Sequence, residues 1–298
     1  MGETVSAGAP AAPAAGRAPV TEPGVYPDMP IEAYHRDPAL SSTGARRLLP
    51  PGCPALYRYE QDHPQPPSTA FELGTAAHRL VLGVGPDLVV VDAEDWRTRD
   101  ARARRDAARA AGAVPLLAAE YALVQAMAAA LRRHPVAGVL FAPGSGRPEV
   151  SVFWRDRATG VMLRERPDWL PYQRPGARLI VPDYKTAVAL DDDALSRAIA
   201  AHGYHQQAAW YLDGLRATGL AGEDAAFVFV FQLKAPPHLV RTVQLPMLAE
   251  RIGRAKNRAA IETFADCQRT GRWPGYGDDV AHLSLPPWAE KTEAEEYL

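Results

Sequence analysis

The chain has 298 residues, 47% of them hydrophobic and 23% charged, with a formal net charge of -2. A chain of this length buries ~75% of the surface it exposes when unfolded, enough for one large domain or two small ones. The two cysteines, Cys53 and Cys267, are too few for a disulfide framework or a four-cysteine zinc or iron–sulfur site, and the charge balance lacks the overall basic excess usual in nucleic-acid binders, although a local basic channel and an acidic metal site can share one chain.

Residues 1–22 are rich in Ala, Pro and Gly, and read as a disordered leader because they offer little surface to bury. Ser42 is placed to cap a short helix, ARRLL (45–49), which Pro50 and Pro51 end. Thr69 and Glu72 have capping-box spacing, predicting a helix over 70–82 that stops near Gly83. A short strand is expected at 86–91, then two helices at 97–111 and 115–133, which together read as a helical insertion. SVFW (151–154) and VMLRERPDWL (161–170) form a β-hairpin signal around Ala158-Thr159-Gly160. A third strand is expected at 178–186, and a helix at 203–217. FVFVFQL (227–233) is a continuous apolar run, as in a strand buried on both faces, and 238–245 suits its antiparallel neighbour. A long helix follows from about 247 to 270, stopped by Gly271, and the residues after Pro286-Pro287 read as a polar tail, 286–298. There is no run of eighteen apolar residues and no basic segment followed by an apolar core, so neither a membrane span nor a signal peptide is expected. The expected compartment is the cytoplasm.

The chemistry concentrates in two short pieces, Arg166-Pro167-Asp168 and Asp183-Tyr184-Lys185. Side chains alternate along a strand, so Asp183 and Lys185 share a face and Tyr184 takes the other. If 161–170 and 178–186 pair as neighbours, Asp168 approaches Asp183, and two close carboxylates call for a cation between them. Mg²⁺ suits such oxygens. A lysine two residues on can orient or deprotonate a water, or offset transition-state charge, in phosphodiester hydrolysis. A lone D-x-K also fits a surface ion pair on an edge strand.

Gly74 and His78, four apart, share a helix face that suits either a metal-directed imidazole or a hydrogen-bonded histidine at the core edge. Glu149 precedes the hairpin and is either a further carboxylate or an exposed loop residue. Tyr204, Gln207 and Tyr211 form a polar–aromatic stripe on one helix face, for packing or for the site.

In order, these pieces read G-x-x-x-H, E, R-P-D, D-Y-K and Q-x-x-x-Y. The series resembles the motif order of RecB-type members of the PD-(D/E)xK nuclease superfamily. YHRDPALSSTGARRLL (34–49), FELGTAAHRLVL (71–82), VPDYKTA (181–187) and YHQQAAWYLDGL (204–215) resemble its RecE-like, exodeoxyribonuclease VIII-like branch of phage and prophage recombination nucleases. The resemblance covers roughly residues 25–277 and implies a single α/β nuclease domain over 23–285, with a mixed central sheet flanked by helices. It implies His78, Asp168 and Asp183 as metal ligands, with the Tyr184 backbone carbonyl and Glu149 as further ones, for Mg²⁺ or Mn²⁺. It makes Lys185 the catalytic lysine, with Gln207 and Tyr211 supporting the site or contacting DNA. Relatives of this branch degrade linear duplex DNA from 5′ ends, leaving 3′ single strands, commonly as homo-oligomeric rings that act with a RecT-like single-strand annealing protein. The implied setting is a bacterial host cell, with a phage or prophage origin.

Residues 97–111 carry Arg97, Arg99, Arg102, Arg104, Arg105 and Arg109 against Asp100 and Asp106, either a solvated helix or a phosphate contact. Trp96 beside them reads as a stacking wedge at a strand end or as packing. Ser41, Ser42 and Thr43 at a helix start can hold a phosphate. Rival readings are an endonuclease or single-strand nuclease of the same fold, and a DNA-binding or scaffold protein without catalysis. A phosphoesterase acting on small substrates finds no nucleotide-pocket motif, and no Walker or Rossmann glycine pattern is present.

Overall fold

The computed structural model describes residues 18–63 and 72–298. Strand β1 (Gly24–Tyr26), helix α1 (Ile31–Arg36), strand β2 (Leu40–Ser41) and helix α2 (Ser42–Arg47) come first, followed by α3 (Pro54–Asp62) and α4 (Glu72–Leu82). A small β–α–β unit follows: β3 (Leu88–Val91), α5 (Arg99–Ala110) and β4 (Val114–Leu117), the two strands parallel. Helices α6 (Ala118–Arg133) and α7 (Ala137–Leu140) lead into β5 (Gly146–Pro148), β6 (Ser151–Arg155), β7 (Met162–Glu165), β8 (Trp169–Pro171) and β9 (Ile180–Ala187). The chain closes with α8 (Asp192–His202), α9 (Tyr204–Ala217), β10 (Ala226–Leu233), β11 (Val240–Gln244), α10 (Met247–Thr270) and α11 (Pro287–Tyr297).

The architecture is α/β, with mixed sheets flanked by helices. One sheet has the order β1-β6-β7-β2 and another β11-β10-β9; β3-β4 and β5-β8 are two-stranded. The apolar run of β10 is buried on both faces, as expected for a central strand. Phe227, Phe229 and Phe231 pack with Ala208, Leu212 and Leu215 of α9. Val230 and Tyr184 face the opposite way, into a core built on α4, α6 and β4. The period of two therefore divides β9 between two layers: Tyr184 joins the α4–α6 core, and Asp183 and Lys185 turn toward α9.

Several local expectations are corrected. Ser41, not Ser42, caps α2: its Oγ accepts from the Gly44 amide at 3.1 Å, and Ser42 already lies inside the first turn. Residues 20 and 21 of the expected leader are tied down, Val20 N to Asp37 at 2.8 Å and the Thr21 carbonyl to Arg155 at 2.9 Å; residues 1–17 lie outside the described residues. So does Thr69, the expected half of the capping box. The first residues of the expected helix at 115–133 belong instead to β4, whose parallel pairing with β3 uses Val114–Leu117. The polar tail contains the helix α11.

The hairpin is present, β6 against β7 in antiparallel register, but β9 pairs with β10 in parallel and not with β7. Pro167 lacks an amide donor, so the ladder of β7 ends at Glu165 and the chain turns away through Arg166-Pro167-Asp168. No helix among the described residues is long and apolar enough to cross a membrane.

Candidate active site

Four elements converge at the start of β8. Helix α4 presents His78, and a Cβ added at Gly74, one turn earlier, would lie 3.6 Å from Thr186 Oγ1, so this face of α4 rests against β9. Glu149 sits in the turn between β5 and β6 with φ 53, a left-handed conformation that a non-glycine residue rarely adopts. Its amide donates to the Asp168 carbonyl at 3.2 Å, which fixes the turn against the R-P-D segment. Helix α9 holds that segment from the other side: Trp210 Nε1 donates to the Arg164 carbonyl at 3.0 Å, and the Tyr211 hydroxyl donates to the Arg166 carbonyl at 3.2 Å.

His78 Nε2 lies 3.2 Å from Asp168 Oδ1, and Nδ1 lies 3.8 Å from Glu149 Oε1. Together the three side chains offer ligand atoms within 4.8 Å of one another. Asp168 also reaches β9, accepting from the Tyr184 amide at 2.8 Å through Oδ2. The pair of sequence motifs is therefore joined by a side chain to backbone bond, where strand pairing was expected. An amide and carbonyl of one strand residue face the same edge, so the Tyr184 carbonyl turns toward this side of β9 as well. Asp183, 1% exposed, accepts from Gln207 Nε2 at 2.7 Å through Oδ1 and faces the Lys185 ammonium with Oδ2. Arg166 completes the cluster, its Nε donating to Glu149 at 2.8 Å.

Burial disfavours a charged imidazole at His78, but the Asp168 carboxylate and its hydrogen bond outweigh it and carry the pKa to about 9. Burial pushes Glu149 upward, reinforced by Asp168 and opposed by His78 and Arg166. For Asp168, burial acts upward too, but His78 and Lys185 hold it below the usual carboxylate range. Burial raises Asp183 to about 6 against the pull of Lys185. Lys185 keeps its proton more tightly than a free lysine: burial opposes the charge, and Asp183 and Asp168 more than restore it.

The donor set fits a divalent cation: one imidazole and two carboxylates converge, and the Asp168 charge raises the proton affinity of Glu149, a repulsion that a cation between them would relieve. Asp183 stands beside this trio, held by Gln207 and Lys185. A metal needs the neutral imidazole, and His78 holds its proton up to about pH 9. Apparent Mn²⁺ affinity is thus expected to tighten by about tenfold per pH unit between 6.5 and 8.5, one proton being displaced. Calorimetric titration at three pH values measures this, and a flat profile would remove His78 from the ligand set. Without metal the sign reverses for stability. The folded pKa lies above the unfolded value of 6.5, so the stabilisation from the His78–Asp168 pair is complete below pH 6.5 and is lost as pH rises through about 9.

The structure distributes the expected DNA-contacting residues unevenly. Arg97 precedes α5, whose cap is Thr98, so it is not on that helix as expected, and it pairs with Asp95. Arg105 lies over the Trp96 ring at 5.9 Å and pairs with Asp106. Arg109 is bound in two places by Glu72 at the start of α4, which ties α5 to the helix that carries His78. Arg99, Arg102 and Arg104 are exposed and carry no ion pair among the described residues. Ser42 is buried and its Oγ accepts from Arg46 at 3.0 Å. Two residues escaped notice in the sequence: Arg166, seen only as part of a motif, and Arg164. The alternation R-x-R before P-D was the available signal, since a spacing of two at the end of β7 sends both guanidinium groups to the same side, over the Tyr34 ring.

No curated protein matches the chain. Among solved structures, one titled "Putative exonuclease" from Eubacterium rectale superposes with a TM-score of 0.55 at 13% identity, covering 89% of this chain and 98% of that one. At that identity the likeness concerns the fold. In sequence, residues 52–285 match the family described as "PDDEXK-like domain of unknown function (DUF3799)". That span takes in α4, the hairpin, β9 and α9, the elements that carry every group of the cluster, and the chain belongs to this PDDEXK-like family.

Proposed function

We propose that this protein is a divalent-metal-dependent deoxyribonuclease that acts as an exonuclease on linear duplex DNA. The observation that supports it most is the meeting of His78, Glu149 and Asp168 beside the Asp183–Lys185 pair, in a chain of PDDEXK-like fold. His78, Glu149 and Asp168 would hold Mg²⁺ or Mn²⁺, with Asp183 and the Tyr184 carbonyl adjoining. When bound, the ion supplies Lewis-acid polarisation of the phosphoryl group and lowers the pKa of a water.

The chain's own residues do the rest. Lys185, kept cationic by Asp183 and Asp168, places a positive charge where a phosphate oxygen gains negative charge in the transition state. Gln207 fixes the rotamer of Asp183, which in turn aims Lys185. Arg166 holds Glu149, and Tyr211 holds the backbone of Arg166, so the carboxylates keep their places when the site is charged. Arg99, Arg102 and Arg104 would neutralise backbone phosphates without reading sequence.

The finer reading follows the RecE-like resemblance: digestion 5′→3′, 3′ single strands as product, a ring of several copies, and an annealing protein as partner in recombination. The test is digestion of linear, closed circular and single-stranded DNA with Mg²⁺ or Mn²⁺, with and without EDTA. Loss of linear duplex alone, abolished by EDTA, is expected. Cutting of closed circles would favour an endonuclease, and intact DNA in every form would favour a binding protein. Lys185→Ala should slow cleavage by about 10²–10⁴-fold, the range for loss of a positioned catalytic group; equal rates would remove Lys185 from the chemistry.

A further inference from the structure

The cleft that reaches His78, Glu149 and Asp168 does not end there. It has a volume of about 440 Å³ and continues past Arg164, Arg47, Ser42 and Thr43. Arg164 is the anomaly in this wall. It is 6% exposed, and its Nε and Nη1 have no hydrogen-bond partner. Its Nη2 reaches only the His35 carbonyl, at 3.4 Å, and the guanidinium lies 4.6 Å from the centroid of the Tyr34 ring.

No carboxylate compensates it among the described residues. Glu165, next in sequence, alternates to the other face of β7 and lies against Trp154 and Gly214. Glu149 is engaged by Arg166 and His78, and Asp168 by His78 and the Tyr184 amide. Arg166, the other guanidinium on the Tyr34 ring, has its Nε taken by Glu149 and its Nη1 by Ser151 and the Met29 carbonyl. A buried cation without a partner is costly unless an anion meets it. The planar fork of arginine matches tetrahedral oxyanions, and the cleft adds the hydroxyl donors of Ser42 and Thr43 and a second guanidinium at its rim, Arg47, whose Nη1 pairs with the exposed Glu60 at 2.6 Å, a surface pair weak enough to be shared with a bound anion.

We propose that Arg164, with Arg47 and the hydroxyls of Ser42 and Thr43, forms a phosphate pocket that holds a DNA phosphate next to the one cleaved. The identity of the phosphate rests on the nuclease reading; the anion site itself does not. Its acidic end, at Glu149 and Asp168, and its basic end, at Arg164 and Arg47, divide the cleft into a place for a cation and a place for an anion.

The test is saturable stabilisation of the full chain in EDTA at fixed ionic strength. The probes are inorganic phosphate, a thymidine dinucleotide with a 5′-phosphate, and the same dinucleotide without one. Phosphate is expected to raise the melting temperature of the wild type. The effect should vanish in Arg164→Met and weaken several-fold in Arg47→Ala, an exposed residue whose only ion pair among the described residues is with Glu60 at the surface, so that the fold is expected to survive its loss. Stabilisation by the phosphorylated dinucleotide alone would assign a terminal phosphate, and by both an internal one; each supports the pocket. No saturable effect in wild type, or equal effects in Arg164→Met, would overturn it. Should Arg164→Met fail to fold, unchanged phosphate affinity in Arg47→Ala would overturn it instead. With DNA, the variants should raise KM more than they lower kcat. Phosphate binding without any nuclease activity would sink the functional reading alone, and nuclease activity without an Arg164-dependent anion effect would sink the pocket alone.

Discussion

Asp168→Asn is expected to reduce nuclease activity by at least about 10³-fold while leaving the protein folded. The carboxylate meets His78 through one oxygen and the Tyr184 amide through the other. Asparagine can still accept from the amide through its carbonyl, so β8 and β9 remain tied. What it loses is the charge that draws a cation and holds His78. Cation stabilisation of a transferring phosphoryl group amounts to several kcal/mol, and each 1.36 kcal/mol is a factor of ten. Single-turnover digestion of linear duplex, with far-UV circular dichroism as the folding control, measures this. Near wild-type rates in a folded Asp168→Asn protein would mean that the trio is structural.

Gly253→Val is expected to destabilise the protein by about 3 kcal/mol, the upper end for overpacking, and to lower its melting temperature by about 5 °C. A Cβ at Gly253 would lie 2.1 Å from the His205 carbonyl oxygen and 3.0 Å from the Gln206 nitrogen. Both are backbone atoms of α9, so no side chain can swing aside, and α10 must move away from α9. That separation would also break the buried pair in which Asn257 donates to the Gln206 carbonyl at 2.9 Å and Gln206 donates back at 3.2 Å. Because Gln207 follows directly and holds Asp183, the folded fraction should also lose activity. Gly275→Ala, where a Cβ meets nothing within 4 Å, is the neutral control for thermal melts. If the two variants melt together, the close approach of α9 and α10 is not a constraint.

Local signals were the readable ones. The alternating face of β9, the apolar run of β10 and the Gly271 stop of α10 are properties of a few consecutive residues, and each is found where the sequence puts it. The groups of the candidate site were legible too: His78, Glu149, Asp168, Asp183, Lys185, Gln207 and Tyr211 lie together, although Asp183, expected among the metal ligands, stands beside the His78–Glu149–Asp168 trio and not within it. The means by which they meet was not legible. Asp168 reaches β9 through a side chain to amide bond on the edge that β10 leaves open, because Pro167 ends the ladder of β7 before it could pair there. The partner that β9 does take, β10, packs Phe227, Phe229 and Phe231 on α9, far away in sequence from the hairpin.

Other misses have local causes. Helix α8 carries its own signals, an Asp191 cap and Gly203 at its end, yet its only buried side chain is Leu195, so no apolar stripe marked it. The strand β4 contains Pro115, which reads as a helix start. Its pairing with β3 depends on α5 folding back between them. Arg164 escaped because nothing in a sequence distinguishes a guanidinium with a partner from one without.

The claim on which the rest depends is that His78, Glu149 and Asp168 hold one divalent ion. Anomalous diffraction from crystals of the protein grown with Mn²⁺ tests it most directly. The account predicts a single strong anomalous peak among the His78 imidazole and the Glu149 and Asp168 carboxylates, absent in Asp168→Asn. A cleft without a peak at saturating Mn²⁺, or a peak bound elsewhere while DNA is still cut, would contradict it.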